Sequence, residues 1–459
     1  MMARLSDVAS ALGAELRGPD AAFARVVSDS RAVRAGDLFV ALAGDRFDGH
    51  DYVAQAAALG AAGALVSRHV EGGGAQVIAD TGADALPALQ AYAAHWRAAL
   101  DLPVVAVTGS SGKTTTKQML AAVFAARGPV LATEGNLNNH IGVPLTLLKL
   151  RAEHRTAVIE MGANHAGEIA LLARLAQPDV GIVTQAGDAH LEGFGSREGV
   201  ARAKGELFAG LRRPGVAIIN ADDPYAPLWQ DLAQGASVLT FGFSKSADVR
   251  ADDLVGVPEH GPVATAFTLR APDGSCRVEL PLPGRHNVAN ALAAAAAGVA
   301  LGLSVETIAA GLHAVAPVSG RLNWLEAREG ARLLDDSYNA NPTSLRAALE
   351  LLAGLPGQRW LVLGEMRELG NEAAALHAEA GRAARALGID RLYTLGALAH
   401  HAAEGFGGRA QEFDAVDDLI AAVRQDLGPQ VTVLVKGSRG ARMERVVTAL
   451  TGRSAQEMH

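Results

Sequence analysis

A glycine-rich segment that ends in lysine and threonine offers the clearest chemistry in this chain. Residues 108–117 read TGSSGKTTTK and follow the apolar run 103–107. Where a buried strand enters such a turn and the chain continues as a helix, the backbone N–H groups of the turn can bind nucleotide phosphates. Lys113 can then neutralise the charge of the phosphates, and the Thr114 hydroxyl can reach Mg²⁺. The loop has the short form G-x-x-G-K-T-T, and its glycines could also serve a plain strand-to-helix turn. The order of strand, glycines, lysine, threonine and helix favours binding of ATP or GTP.

Polar residues also follow two later apolar runs. Glu160 ends the run 157–159, and a carboxylate beside a phosphate loop can hold Mg²⁺, although it could also simply begin a loop or helix. His190 follows the run 180–183. A lone histidine is more often a hydrogen-bonded loop residue than a ligand. His190, however, follows a strand of the same predicted sheet as the phosphate loop, and this position favours a functional role. Lys204, on the next predicted helix, would by itself be a solvated lysine.

Two asparagine-containing segments could contact a nucleoside. The segment 220–223 reads NADD after the apolar run 216–219, and it could meet a ribose or base or could cap the following helix. Asn287 and Asn290 lie three residues apart on one face of a predicted helix. Their carboxamides suit the edge of an adenine, and N-capping explains either one equally well.

The helices and strands that carry these residues are predicted to form an α/β fold with three domains. Three domains are expected for 459 residues at roughly 150 residues per domain. Residues 1–84 predict a small α/β domain. Residues 85–316 alternate strands and helices, which predicts a parallel sheet covered on both faces and a ligand at the carboxyl ends of its strands. After a Pro-, Ser- and Gly-containing linker at 316–320, the alternation restarts. Residues 317–459 therefore predict a third, Rossmann-like domain, which lacks G-x-G-x-x-G.

Composition narrows the class of protein. The hydrophobic fraction is 49%, the charged fraction is 20% and the net charge is −8, with no basic stripe, so a nucleic-acid partner is not expected. The single cysteine, Cys276, excludes an internal disulfide and suits a reducing compartment. The first residues lack the apolar core of a secretory signal, and the apolar stretch 291–303 is too short to span a membrane. We therefore expect a soluble, cytoplasmic protein.

Several longer segments together resemble the ATP-dependent Mur ligases of peptidoglycan synthesis. The central segments that carry this resemblance are TGSSGKTTTK, EGNLNNHIGVPLTLL, EMGANHAGEI, GDAHLEGFGSREGVARAKGE, NADDP and GRHNVANALAA. Residues 28–52 are similar to the UDP-sugar domain of the family. Residues 335–345, 362–370 and 435–444 are typical of members that add D-alanyl-D-alanine, and the D-N-P-R motif expected of diaminopimelate-adding members does not occur. The resemblance spans nearly the whole chain.

The resemblance implies roles for individual residues. The phosphates of ATP would lie on Gly109, Ser110, Ser111, Gly112, Lys113, Thr114 and Thr115. Thr114 and Glu160 would hold a first Mg²⁺, and His190 a second. Lys204 matches the position that family members carbamylate with CO₂, which would turn a cation into an anion able to reach Mg²⁺.

The remaining roles concern the nucleoside and the other two substrates. Asn287 and Asn290 would flank adenine, and Arg321 and Asp336 would reach ATP from the third domain. Ser28, Asp29, Ser30 and Arg31 would lie at the uridine and diphosphate of the nucleotide sugar. The residues that would face the incoming dipeptide are Asn339, Asn341, Lys436, Ser438 and Arg439.

The activity implied by the resemblance is an amide ligation that uses ATP and Mg²⁺ and proceeds through an acyl phosphate. UDP-N-acetylmuramoyl-tripeptide would receive D-alanyl-D-alanine, and the enzyme would act as a monomer. Other members of the superfamily, such as folylpolyglutamate ligases, are an alternative in the same chemistry. A P-loop switch or transport ATPase is an alternative from another class.

Overall fold

The N-terminal region is a small α/β unit. The computed structural model of the protein describes residues 1–44, 47–256 and 264–453. A five-stranded sheet with the order β2-β9-β8-β5-β4 dominates this region, and its strands are parallel except where β2 meets β9. The elements are β1 (Ala3–Arg4), α1 (Leu5–Leu12), β2 (Glu15–Arg17), β3 (Ala22–Phe23), β4 (Arg25–Val27), β5 (Asp37–Val40), β6 (Ala43–Gly44), β7 (Phe47–Asp48), α2 (Val53–Ala58), β8 (Gly63–Val66) and β9 (Gln76–Ile78).

The central region contains a nine-stranded sheet of order β11-β12-β10-β13-β14-β15-β16-β17-β18. Its elements are α3 (Leu86–Ala98), β10 (Val104–Thr108), α4 (Lys113–Phe124), β11 (Val130–Ala132), α5 (Gly142–Leu147), β12 (Thr156–Glu160), α6 (Glu168–Ala176), β13 (Val180–Val183), α7 (Leu191–Phe194), α8 (Arg197–Ala209), β14 (Val216–Asn220), α9 (Ala226–Leu232), β15 (Ser237–Gly242), β16 (Val249–Val255), β17 (Thr265–Ala271), β18 (Gly274–Leu280), α10 (Arg285–Ala300) and α11 (Val305–His313).

The prediction of a parallel central sheet holds for seven of these strands and is wrong for the other two. The seven strands β10 to β16 are all parallel, whereas β17 is antiparallel to both of its neighbours, β16 and β18. Ala271 pairs with Gly274, so only two residues connect β17 to β18. Such a short connection permits only a hairpin, because a parallel pair needs a long crossover. The alternating burial of Phe267 and Leu269 fits a sheet edge with one face packed on the core.

The alanine-rich stretch 291–303 forms most of α10, and Ala291 to Ala297 are fully buried. This confirms the prediction of a buried helix. In the described ranges of the chain, no helix has the length and apolarity needed to cross a membrane.

The C-terminal region is built on a six-stranded sheet with the order β19-β20-β24-β21-β22-β23. All its strands are parallel except the edge strand β19. The four strands that the apolar runs 332–334, 360–363, 392–395 and 431–435 predict are present as β20, β21, β22 and β24. The elements are β19 (Asn323–Glu326), β20 (Arg332–Asp336), α12 (Pro342–Ala353), β21 (Gln358–Gly364), α13 (Ala373–Ala386), β22 (Arg391–Leu395), α14 (Ala397–Phe406), β23 (Ala410–Phe413), α15 (Val416–Gln425), β24 (Val431–Lys436) and α16 (Glu444–Thr451).

The domain limits at 84/85 and 316/317 stay predictions. A single hydrophobic cluster extends from Leu5 through Tyr92 to Trp229, so the first limit crosses a shared core. Residues 314–322 contain neither helix nor strand, which is compatible with a linker at 316–320.

Candidate functional site

The glycine-rich loop joins β10 to α4 at the carboxyl edge of the central sheet. Gly109 has a φ of +146° and Gly112 a φ of +84°, in the range that favours glycine. A Cβ added to Gly109 would lie 1.9 Å from Thr184 Oγ1, and one added to Gly112 would lie 2.3 Å from Asn290 Oδ1. Both glycines are therefore required by backbone conformation and by close neighbours. The helix begins at Lys113, so its free N–H groups face the loop.

Lys113 occupies the start of α4. Its Nζ donates to the carbonyl oxygen of Gly109 at 2.7 Å, which keeps the ammonium over the loop. Burial lowers the pKa of Lys113, and the nearby carboxylate of Glu160 acts in the opposite direction. The side chain of Lys113 is half-buried, and no carboxylate of the described residues forms an ion pair with it. The cation therefore gains from an anion such as a nucleotide phosphate.

Glu160 ends the neighbouring strand β12, and its carboxylate is buried. Oε1 accepts hydrogen bonds from Thr114 Oγ1 at 3.2 Å and from Asn138 Nδ2 at 2.9 Å. Oε2 lies 3.4 Å from Lys117 Nζ and accepts no hydrogen bond from the described residues. Asn138 and Lys117 are not among the site residues expected from the sequence. Their signals were present, because Lys117 lies one helical turn after Lys113 and Asn138 belongs to the GNLNN segment.

The third domain reaches the phosphate loop through two side chains. Arg321 Nη2 donates to Thr114 Oγ1 at 3.2 Å, and Asn341 Nδ2 donates to Ser111 Oγ at 3.1 Å. The Asn341 oxygen also caps α12 by accepting from the N–H of Ser344. Asn341 thus contacts the phosphate loop and the helix cap.

A buried ion pair lies on the same side of the third domain. Lys436 Nζ donates to Asp336 Oδ2 and, at 2.9 Å, to the carbonyl oxygen of Asn339. Burial raises the pKa of Asp336, and the charge of Lys436 opposes that rise. The Ser438 hydroxyl accepts from the N–H of Arg367 at 2.8 Å, which connects the 436–440 turn to the loop after β21.

His190 and Lys204 lie next to the loop on the central domain. His190 Nδ1 is 2.5 Å from Glu368 Oε2 of the third domain, and this contact lowers the pKa of Glu368. Lys204 Nζ is buried, donates to the carbonyl oxygen of Ala163 at 3.2 Å and lies 5.0 Å from the centre of the Phe194 ring. Burial, assisted by the charge of Lys113, lowers the pKa of Lys204 to about 7. The expectation of a solvated helix lysine is therefore wrong for this residue.

A cavity of about 820 Å³ brings most of the expected residues together. Those that line it are Ser110, Ser111, Gly112, Lys113, Thr114, Thr115, Glu160, His190, Asn287, Asn290, Arg321, Asp336, Asn339, Asn341, Lys436, Ser438 and Arg439. Gly109 and Lys204 do not line the cavity, but Lys204 donates to the carbonyl oxygen of Ala163, which is part of the cavity wall. Residues of two domains, distant in sequence, thus surround one volume.

Models of three domains match this chain. The Mur ligase family catalytic domain matches residues 23–94, the Mur ligase middle domain residues 107–298, and the Mur ligase glutamate ligase domain residues 320–439. The chain belongs to the Mur ligase family. It is accordingly a ligase with the three-part α/β organisation of that family, which confirms both expectations from the sequence.

Relatives of this Mur ligase match it over nearly its whole length. The UDP-N-acetylmuramoyl-tripeptide–D-alanyl-D-alanine ligase of Escherichia coli is 46% identical, covering 97% of this chain and 98% of its own. The Bacillus subtilis enzyme of the same name is 39% identical, covering 93% and 92%. A crystal structure of MurF from Acinetobacter baumannii has a TM-score of 0.91 at 37% identity, covering 98% and 99%. MurF ligase from Thermotoga maritima, in complex with ADP, has a TM-score of 0.82 at 29% identity, covering 93% and 96%.

The N-terminal residues expected at the UDP-sugar lie outside the cavity of this Mur ligase. Asp29 and Arg31 form an ion pair of 2.8 Å, and Asp29 also caps a short turn by accepting from the N–H of Arg31. The Arg31 side chain is 87% exposed. The 28–31 segment is therefore an accessible, polar part of the surface.

The structure adds cavity residues that the sequence analysis had not selected. Examples are Asn136, His140, His286, Arg367 and Glu368. Burial, with the nearby charge of Lys436, lowers the pKa of His286 to about 4, so its imidazole is neutral at pH 7. Most of these residues lie within the quoted family segments, but only folding shows which of their side chains reach the cavity.

Proposed function

We propose that this Mur ligase joins D-alanyl-D-alanine to UDP-N-acetylmuramoyl-tripeptide and converts ATP to ADP and phosphate, a step of peptidoglycan precursor synthesis. The observation that carries the proposal is the cavity formed by the phosphate loop of the central domain and by Arg321, Asp336 and the 436–440 turn of the third domain. The matching names of the full-length relatives support the choice of substrates.

A carboxylate is a poor acyl donor, so the first step of the reaction must activate it. The terminal carboxylate of the tripeptide attacks the γ-phosphorus of ATP, ADP leaves, and an acyl phosphate forms. The dipeptide amine then attacks the acyl carbon, inorganic phosphate leaves and the amine loses a proton. Phosphoryl transfer requires positioning and charge stabilisation, which Lys113, Arg321 and the loop N–H groups supply. Enclosure between two domains keeps water from the acyl phosphate.

The residues divide among the three substrates by their place in the molecule. Ser28, Asp29, Ser30 and Arg31 bind the uridine and diphosphate end of the nucleotide sugar. Asn287 and Asn290 flank adenine from α10, and Arg321 and Asp336 reach ATP from the third domain. The residues that contact the dipeptide are Asn339, Asn341, Lys436, Ser438 and Arg439. Residues 1–84, 85–316 and 317–459 are the domains that bring these groups together.

Two Mg²⁺ sites complete the proposal. Thr114 and Glu160 fit a first site, because the buried Oε2 of Glu160 accepts no hydrogen bond from the described residues, and a carboxylate with a hydroxyl is the ligand type that Mg²⁺ prefers. His190 and a carbamylated Lys204 fit a second. Bound Mg²⁺ neutralises charge on the phosphates.

Carbamylation of Lys204 is favoured by its surroundings. Only a neutral amine attacks CO₂, and a pKa of about 7 leaves a large neutral fraction near pH 7. The bond formed is N–C, and the amine proton is released to solvent. The product is a carbamate anion in place of an ammonium, next to the wall formed by Ala163.

The partners of the enzyme are small molecules. The net charge of −8 does not favour nucleic acid, and the proposal places a monomer in the cytoplasm, where nucleotide-linked precursors and ATP are available.

One assay separates this ligase from a P-loop switch or transport ATPase. We expect phosphate release from ATP with UDP-N-acetylmuramoyl-tripeptide to rise strongly when D-alanyl-D-alanine is added, with one amide formed per phosphate. Omission of the tripeptide substrate provides the control. Phosphate release at the same rate without either substrate would contradict the ligase.

A variant of the N-terminal domain tests the UDP-sugar assignment. Arg31→Ala removes an exposed cation expected at the diphosphate, so we expect KM for the UDP-sugar substrate to rise roughly tenfold, as for one lost charge-assisted contact. KM for ATP should not change, because residue 31 lies outside the nucleotide cavity. Arg17→Ala, another exposed arginine of this domain, is the control. An equal rise in both KM values would contradict the assignment.

A further inference from the structure

Arg321 extends from the third domain to the phosphate loop of the central domain. Its Nη2 donates to Thr114 Oγ1 at 3.2 Å, and the two residues are 207 positions apart in the sequence. Across the described part of the chain, no carboxylate forms an ion pair with this guanidinium. An ion pair with a carboxylate therefore does not fix its orientation, and other contacts must do so.

The aromatic ring of Tyr338 lies beside that guanidinium. The central carbon of the Arg321 guanidinium is 4.3 Å from the ring centre, within the range of a cation–π contact. The electron-rich face of the ring attracts the cation without taking any of its hydrogen-bond donors. Arg321 therefore keeps all its N–H groups for the phosphate loop and for an anion in the cavity, whereas a bidentate carboxylate partner would occupy two of them.

The backbone ties the ring and the arginine together. The N–H of Tyr338 donates to the carbonyl oxygen of Gly320 at 3.2 Å, and the N–H of Gly320 donates to Asp335 Oδ2 at 3.1 Å. Gly320 has a φ of +70°, and a Cβ on it would lie 3.1 Å from Tyr338 Cβ. The segment that carries Arg321 therefore packs directly on the segment that carries the ring.

A second guanidinium lies near the same ring but at greater distance. The central carbon of Arg439 is 5.5 Å from the ring centre, and Arg439 is exposed. A cation–π contact weakens with distance and with access of water. The ring therefore acts mainly on Arg321.

We propose that Tyr338 is a positioning residue that holds Arg321 in place for phosphoryl transfer. The proposal rests on the proposed function, in which Arg321 stabilises charge on the transferring phosphoryl group. Tyr338 itself does not take part in the chemistry. Its contribution is a fixed cation, placed before the reaction starts, so that no reorganisation is required at the transition state.

The test compares an aromatic with a non-aromatic replacement. Tyr338→Phe keeps the ring and should retain the kcat of the unmodified enzyme. Tyr338→Leu should lower kcat about tenfold, as expected for the loss of one cation–π contact that positions a charge. KM for the UDP-sugar substrate should stay the same in both, because residues 28–31 lie outside this cavity. Tyr338→Met is a second non-aromatic variant should the leucine variant fold poorly.

A matched control exists in the same domain. Trp324 lies 5.9 Å from the Arg332 guanidinium and does not line the cavity. Trp324→Leu removes a cation–π contact of the same kind and should leave kcat unchanged. Melting temperatures of all variants show whether any loss of kcat follows from loss of stability.

A double-mutant cycle shows whether Tyr338 acts through Arg321. In an Arg321→Met background, Tyr338→Leu should have little further effect on kcat, because the group that it positions is already absent. A full tenfold loss in that background, or an unchanged kcat for Tyr338→Leu alone, would overturn the proposal. Failure of the proposed function is recognised separately, since the unmodified enzyme would then release phosphate without needing the dipeptide.

Discussion

Replacing Lys113 with alanine is expected to lower kcat about 10²-fold or more. The Nζ group lies over the phosphate loop, 2.7 Å from the Gly109 carbonyl, and it is the loop's own cation. Its loss removes charge stabilisation that grows as the phosphoryl group is transferred, and losses of one such contact are on this scale. The measurement is steady-state phosphate release at saturating ATP.

The control for Lys113 is an exposed lysine of the same domain. Lys245→Ala removes the same charge from an exposed position that does not line the cavity, so its kcat should not change. Lys113→Arg keeps the charge but alters the geometry of the donor, and it should recover only part of the activity. Normal turnover and normal ATP saturation by Lys113→Ala would show that the loop does not hold the transferring phosphate.

The second large effect is expected for Lys204→Ala, which should be nearly inactive, with kcat lowered about 10²- to 10³-fold. The variant loses the carbamate and with it one proposed ligand of the second Mg²⁺. Formate should restore part of the activity, because it can supply a carboxylate in the vacated space. A small amine such as methylamine should not restore it. Rescue by methylamine and not by formate would indicate that Lys204 acts as an ammonium.

The dependence on pH provides an independent readout for Lys204. The amine is mainly protonated below a pKa of about 7 and mainly neutral above it. At a constant concentration of dissolved CO₂, reactivation of CO₂-depleted enzyme should therefore become faster as the pH rises through about 7. Arg202→Ala, on the exposed side of the same helix, should behave as the unmodified enzyme. A rate of reactivation that does not change with pH would contradict carbamylation.

Residues that are close in the sequence could be assigned without a structure. The phosphate loop is one example, because seven consecutive residues, 109–115, contain the glycines, the cation and the hydroxyl that its chemistry needs. The alternation of strands and helices likewise predicted the parallel strands β10, β12, β13 and β14 of the central sheet and β20, β21, β22 and β24 of the third domain. In both cases the interactions that determine the structure are local, or follow from a period of apolar residues that is visible in the sequence.

The hairpin of β17 and β18 shows where a simple count of alternating elements fails. Its two-residue connection, Pro272 and Asp273, permits only an antiparallel pair, whereas the alternation of strands and helices predicts a parallel sheet for the whole central region. Lys204 shows a second limit of prediction from the sequence, which concerns burial. Its sequence neighbours are those of an exposed helix residue, yet packing against Ala163 and Phe194 buries the amine and lowers its pKa.

The sequence by itself therefore determined the family, the phosphate loop and many of the residues that line the cavity, since these depend on short segments with specific chemistry. Only the tertiary structure decided which side chains meet across the two domains. The contacts of Arg321 with Thr114, of Asn341 with Ser111 and of Glu368 with His190 join residues far apart in the chain. Such contacts depend on how two separately formed sheets pack together, and no local pattern of residues encodes that packing.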